Sequence, residues 1–335
     1  MNTTQTNITV LGDGGWGTAL ALILLGNGHR VTLWGAFPGY IATMKATTEN
    51  PTYLPGVNLP ETLDLTADPE TALARADGVL IAVPSKYFRT TLATLAPFVP
   101  PRAHLISVSK GLDPETRQRL SQVALSLLGR ETMAVLSGPS HAEEAARGSP
   151  TAVTVASTSP AEAEWWQNVL TGSTFRVYTA TDVIGVELGG ALKNIIALAA
   201  GICDGLGFGD NTKAALMTRG LAEITRFGTL LGADPTTFSG LSGIGDLMVT
   251  GMSRHSRNRS VGERIGKGES IDTILGGMSQ VAEGVWTARE AASLARSMGV
   301  TLPICQTVVD ILDGKLAPAE AVKTLMDREP KPEFD

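Results

Sequence analysis

Along the first half of the chain, short continuous apolar runs alternate with longer segments whose apolar residues recur at helical spacing. The runs Ile8–Leu11, Val31–Trp34, Val79–Val83, Leu105–Val108, Ala134–Leu136 and Ala152–Val155 read as buried strands. Helices are predicted between them over Thr18–Leu25, Ala72–Ala74, Tyr87–Leu95, Thr116–Leu127, Ser140–Ala146 and Ala161–Leu170. Short buried strands that alternate with helices need crossover connections, hence parallel pairing. The expected fold is α/β, with an N-terminal doubly wound (Rossmann-like), mostly parallel sheet. After about Thr181 the strand pattern stops, and helices punctuated by glycine follow, as in Ala214–Leu231 and Val285–Met298. The pattern therefore predicts two domains, 1–181 and an all-helical one over 182–335. No flexible linker separates them, no repeat or low-complexity tract interrupts them, and the final PKPEFD reads as a loose tail.

With 43% hydrophobic and 18% charged residues in 335, the chain has ample material for buried cores and does not read as disordered. Its 37 glycines exceed the average share of about 7%, without a Gly-X-Y period. A net charge of −6 and a pI near 5.4 exclude a generally basic nucleic-acid binder, while leaving room for a local cationic cluster. The two cysteines, Cys203 and Cys305, lie in apolar runs and lack CxxC spacing, so neither a disulfide framework nor a zinc site is expected. The N-terminus has no basic segment followed by an apolar one. The run Leu188–Cys203 carries Lys193 and Asn194 and falls short of the roughly 20 residues a span needs. A cytoplasmic protein, not an integral membrane one, is the expectation.

Three motifs carry chemistry. Gly12-Asp13-Gly14-Gly15-Trp16-Gly17 fits GxGxxG between the first strand and the first helix. Gly12 permits a tight turn, Gly14 lets backbone approach a pyrophosphate, Gly17 allows close packing, and the helix N-terminus offers N–H groups to the anion. Trp16 suits either cofactor stacking or plain packing. The residues after the second strand, Trp34-Gly35-Ala36-Phe37, offer neither an acid for a ribose 2′-hydroxyl nor an arginine for a 2′-phosphate. The choice between NADH and NADPH stays open.

Lys193 stands alone in Gly189-Gly190-Ala191-Leu192-Lys193-Asn194-Ile195-Ile196-Ala197, an apolar helix. Burial lowers the pKa of an ammonium and suits it to acid–base work near neutrality. Gly189 and Gly190 are expected to leave room for a ligand beside the amine, and Glu187 and Asn194, seven apart, to hydrogen-bond or support a neighbour. The alternative is a lysine that snorkels from a core helix. Arg254-His255-Ser256-Arg257-Asn258-Arg259 concentrates positive charge ahead of a helix, which matches phosphate oxygens on a small substrate. Lys110 follows a strand at the carboxyl edge, where ligands bind in such sheets. His29 and His104 read as structural or exposed, and no Ser/Cys–His dyad suggests a hydrolase.

These motifs, together with GALKNIIALAAGICDGLGFGDNTKAAL (190–216), ENPTYLPG (49–56), SKGLDPET (109–116), SGPSHAEE (137–144), LSGIGDL (241–247), HSRNR (255–259) and VAEG (281–284), resemble the bacterial-type NAD(P)-dependent glycerol-3-phosphate dehydrogenases. The resemblance runs from Ile8 to about Glu333. It implies reversible reduction of dihydroxyacetone phosphate to sn-glycerol 3-phosphate for phospholipid synthesis, with NADPH or NADH. Carried over, Lys193 is the catalytic acid and base. Lys110 and Asn194 help hold the carbonyl and Lys193. Gly138, Ser140, Asp246 and, less specifically, Thr250 contact substrate, and Ser256, Arg257 and Asn258 take its phosphate. Gly15, Trp16, Lys110, Ala142, Arg257, Val281 and Glu283 line the cofactor with Gly12, Gly14 and Gly17. A homodimer is also implied. The family commonly has arginine or histidine just after the second strand, where this chain has Ala36 and Phe37, so relaxed use of NADH is expected. A related 3-hydroxy-acid dehydrogenase and a non-catalytic nucleotide-responsive regulator are the competing readings. The phosphate-suited Ser256-Arg257-Asn258 speaks against the first and Lys193 against the second.

Overall fold

The structure is a computed structural model that describes residues 5–278, 282–330 and 332–333. Ten strands occur among these: β1 (Asn7–Leu11), β2 (Arg30–Trp34), β3 (Glu49–Asn50), β4 (Leu54–Asn58), β5 (Asp64–Thr66), β6 (Gly78–Ile81), β7 (His104–Ser107), β8 (Ala134–Ser137), β9 (Thr151–Ala156) and β10 (Phe175–Ala180). Eight form one sheet in the order β10-β9-β8-β7-β6-β1-β2-β5, and β3 pairs with β4 as a small ribbon. All pairings in the large sheet are parallel except β8 with β9. Chain order reverses at β1, which pairs with β2 on one side and β6 on the other. That switch point is where open α/β sheets bind ligands, outside the carboxyl ends of the strands.

All six predicted strands are present, and the strand pattern does end at Ala180. The strands without an apolar run are the edges and the ribbon. In β10 buried and exposed residues alternate, with Arg176 and Tyr178 facing out, because nothing covers one face of an edge strand. The helix expected from Thr116 begins instead at Leu120. Asp113 draws Thr116 into a turn by accepting from its N–H (2.9 Å) and hydroxyl (2.6 Å), and Arg117 adopts φ 60°.

The 23-residue core helix, Val183–Gly205, ties the sheet to the helical region. By length and composition it is long and apolar enough to cross a membrane, which corrects the shorter span read from the sequence. Yet 89% of its most apolar window is buried inside the protein, against sheet strands and the helices Asp210–Leu230, Asp246–Met252, Arg257–Gly266 and Glu283–Ser297. Such all-round burial explains an apolar helix without a polar face. Cys203 and Cys305 are both free and buried, and Cys305 Sγ lies 3.4 Å from the Ala288 carbonyl, to which it donates. Burial raises the pKa of both thiols.

Candidate active site

The glycine loop is built from backbone. Gly12, at φ 118°, passes so close to β6 that a Cβ there would lie 2.7 Å from the Ala82 carbonyl oxygen, and a Cβ on Gly17 would collide with the Gly12 carbonyl. Around Gly14 the space is open. Gly14 is also the N-cap of the helix Gly15–Gly26 and has no side chain to cap it. The first-turn N–H groups therefore face a recess suited to an anion, which is the cradle a dinucleotide pyrophosphate needs. Trp16 packs against Phe175 with ring centroids 6.3 Å apart, and its buried indole N–H has no partner among the described residues. Ala142 starts the short helix Ala142–Ala145 and packs on the same loop beside Gly15.

The second part of the site is built from charged side chains. Lys193 is 6% exposed and Asp246 1%. Asp246 Oδ1 accepts from Lys193 Nζ at 2.6 Å, and Oδ2 accepts from Lys110 Nζ at 2.6 Å and Ser137 Oγ at 3.3 Å. Lys193 also donates to the Thr250 hydroxyl. Lys110 reaches the Gly138 carbonyl (3.2 Å) and Ser140 Oγ (3.4 Å) from the carboxyl end of β7. One carboxylate thus holds two ammonium groups. Burial lowers the Lys193 pKa to about 8, with Lys110 adding to the fall and Asp246 resisting it. Burial acts against the Asp246 carboxylate, but Lys110 and Lys193 overcome it and hold its pKa below the ordinary value.

Local backbone explains the convergence. Asp246 begins its helix directly after a π turn, Leu241–Gly245. Such single-turn bulges recur at functional sites because they re-aim the next side chain. The core helix meets this turn through glycine: a Cβ on Gly189 would lie 2.5 Å from the Ser242 carbonyl oxygen, and one on Gly190 would collide with the Ser137 hydroxyl. The expectation that these glycines leave space for a ligand is therefore corrected. They admit the neighbouring backbone and hydroxyl, bringing Lys193 within reach of Asp246. The pairing of Glu187 with Asn194 is also absent. Glu187 accepts from Arg119 (2.6 Å) and from Ser121 N–H (2.9 Å) and Oγ (2.6 Å).

Asn194 instead accepts from Asn258 Nδ2 at 2.9 Å, and Asn258 Oδ1 accepts from the Gly284 N–H at 2.9 Å. Ser256 is buried and N-caps the helix Arg257–Gly266, accepting from the Arg259 N–H at 3.2 Å. The basic cluster divides. Arg259 turns to Asp204 (2.6 Å), whereas Arg257 stays exposed at the helix start, where Glu143 and Glu283 act on it. Glu283 opens its own helix and accepts from the Ser85 N–H (3.0 Å) and hydroxyl. Burial raises its pKa despite those bonds. Val281 lies outside the described residues.

Residues 7–163 match the family model described as the N-terminus of NAD-dependent glycerol-3-phosphate dehydrogenase, and residues 182–323 match the C-terminus model of the same family. The chain belongs to this family. It is 50% identical over 322 residues to the glycerol-3-phosphate dehydrogenase [NAD(P)+] of Moorella thermoacetica, covering 96% of each chain. The Chlorobium phaeobacteroides protein of the same name is 49% identical over 329 residues, covering 97% of this chain and 99% of that one. The crystal structure of glycerol-3-phosphate dehydrogenase from Coxiella burnetii superposes with a TM-score of 0.93 at 38% identity, over 97% of this chain and 99% of that one.

Within the glycerol-3-phosphate dehydrogenase frame, two polar groups beside the cluster had no signal in composition or spacing. Ser137 ends β8 and faces Asp246. His141 N-caps the helix Ala142–Ala145, and its buried Nε2 has no partner among the described residues. Burial and the Lys193 charge lower its pKa, and its ring lies 5.9 Å from that of His255. A lone histidine in a loop reveals nothing until the loop is placed beside a buried lysine.

Proposed function

We propose that this chain catalyses the reversible NAD(P)H-dependent reduction of dihydroxyacetone phosphate to sn-glycerol 3-phosphate, supplying glycerophospholipid synthesis, with Lys193 as general acid and base. The observation that carries this reading is the Lys193–Asp246–Lys110 cluster, in which a buried Lys193 has a pKa of about 8. When bound, the nicotinamide supplies the hydride to the carbonyl carbon. Lys193 Nζ gives its proton to the carbonyl oxygen and is left a neutral amine; in reverse it takes the hydroxyl proton. Asp246 keeps Lys110 at 2.6 Å throughout, so proton loss from Lys193 leaves no unpaired buried carboxylate.

Lys110, Gly138, Ser140, Asn194 and Thr250 surround the reacting carbonyl in this reading. Ser256, Arg257 and Asn258 bind the phosphate at a helix start, where N–H groups add to the arginine fork. Gly12, Gly14, Gly15, Trp16, Gly17, Lys110, Ala142, Arg257 and Glu283 bind the dinucleotide. The division into a dinucleotide-binding domain, 1–181, and a substrate domain, 182–335, a cytoplasmic setting and a homodimer belong to the same reading. Light scattering tests the dimer. The reaction is tested by mixing protein, NADH or NADPH and dihydroxyacetone phosphate while following absorbance of the reduced nicotinamide. Consumption of the cofactor is expected, and no turnover with either one overturns the proposal.

A further inference from the structure

In doubly wound sheets an acid at the end of the second strand usually takes the adenosine ribose 2′-hydroxyl. Here β2 ends at Trp34, and Gly35, Ala36 and Phe37 follow without a charge. A carboxylate is nevertheless present at that place. Asp13, the second residue of the glycine loop, lays its side chain across Gly35. A Cβ built on Gly35 would lie 2.7 Å from Asp13 Cγ and collide with Oδ2. The Asp13 carboxyl therefore fills the volume in which a side chain at position 35 would begin.

Asp13 Oδ2 is buried and has no hydrogen-bond partner among the described residues. Burial raises the pKa of this carboxyl against the opposing pull of its own backbone N–H. A buried carboxylate oxygen without a donor is costly, and a donor from a ligand relieves that cost. The backbone that carries it is clamped. The Asp13 carbonyl accepts from Asn50 Nδ2 at 2.7 Å, and the same amide donates to Thr18 Oγ1 at 2.8 Å. Asn50 Oδ1 in turn accepts from the Tyr40 hydroxyl at 2.6 Å and the Tyr53 N–H at 3.1 Å. Asn50 is fully buried, so the loop residue is fixed about as firmly as a strand residue would be.

We propose that Asp13 sets cofactor choice: its carboxylate accepts the ribose 2′-hydroxyl and repels a 2′-phosphate, so the chain prefers NADH over NADPH. The inference rests on the dinucleotide-binding reading of the glycine loop and sharpens it. Gly35 is the complement of Asp13, since a side chain there would displace the carboxylate. Ala36 and Phe37 add no cation to offset a 2′-phosphate.

Isothermal titration with ADP-ribose and 2′-phospho-ADP-ribose tests the assignment, because neither probe carries a nicotinamide and binding is read without turnover. The protein is expected to bind ADP-ribose about tenfold or more tightly than its 2′-phosphorylated form, as suits a hydrogen bond to a charged group. Asp13→Ala and Asp13→Asn should lose most of that ratio. The double variant Asp13→Ala/Gly35→Asp, which returns the acid to the strand end, should recover it. Equal binding of the two probes, a preference for the phosphorylated one, or an unchanged ratio in both single variants would overturn the assignment. If the variants fail to fold, the ratio of the unmodified protein still decides. Discrimination between the probes without turnover of dihydroxyacetone phosphate would leave Asp13 in place and defeat the reaction proposed above.

Discussion

The two parts of the candidate site, a backbone wall at the glycine loop and a charged wall around Asp246, are built on opposite principles. The glycine loop is backbone brought close by absent side chains, with Gly14 open to a ligand and Gly12 pressed on β6. The charged wall is side chain, with two ammonium groups and a carboxylate joined at 2.6 Å, Lys193 and Asp246 buried and Lys110 partly so. A backbone cradle binds an anion without adding a formal charge of its own. In the proposed reaction the charged wall moves a proton, with Asp246 as the shared counter-charge of both ammonium groups. In the proposed reading, the pyrophosphate falls to the backbone wall and proton transfer to the charged one.

The contrast is broken most severely at Asp246. Asp246→Ala leaves two neighbouring ammonium groups without a counter-charge, and is expected to destabilise the fold by about 3–5 kcal/mol. A urea midpoint within error of the parent would mean that the charged wall costs little to hold. Lys193→Ala should instead lower turnover by roughly 10² or more, as loss of a general acid does. NADH should still bind when followed by fluorescence, because the backbone wall is untouched. Near-normal turnover would place the proton donor elsewhere. Arg257→Ala removes a charge at the rim and should act on substrate affinity by about 1.5–3 kcal/mol. An unchanged KM for dihydroxyacetone phosphate would move the phosphate site away from this helix start.

The mildest probe is pH. In the reduction direction Lys193 must be protonated, so kcat/KM should be level below its pKa and fall as pH rises through about 8. In the oxidation direction the amine must be neutral, so the profile should rise through the same region and then level. Profiles of the same sign in both directions would separate Lys193 from the proton transfer.

The same contrast decides what could be read before the fold was in hand. GxGxxG lies within six residues directly between an apolar strand run and a helical segment, and motif and context together specify the turn and the helix N-terminus. The sheet was similarly legible wherever a strand is buried on both faces. It was not legible at β10, whose exposed Arg176 and Tyr178 break the apolar run. Lys193 stood out because its helix is otherwise apolar. Asp246, Ser137 and Lys110 lie far apart in the chain and meet through the π turn and the packing at Gly189 and Gly190, features with no periodic signature. Lys110 was marked by its place at the carboxyl edge of a strand, whereas Asp246 entered as a site residue only through the family resemblance. His141 did not enter as a site residue at all.

The buried thiols have a practical consequence for following the helical region in time. Cys203 and Cys305 are 6% and 3% exposed, and burial keeps both largely in the unreactive protonated form. An alkylating reagent added to the folded protein therefore has to wait for the helices around each thiol to part. The labelling half-life then acts as a clock for opening of that region. With two cysteines on separate helices, peptide mapping gives two independent readings from one sample, with no introduced probe.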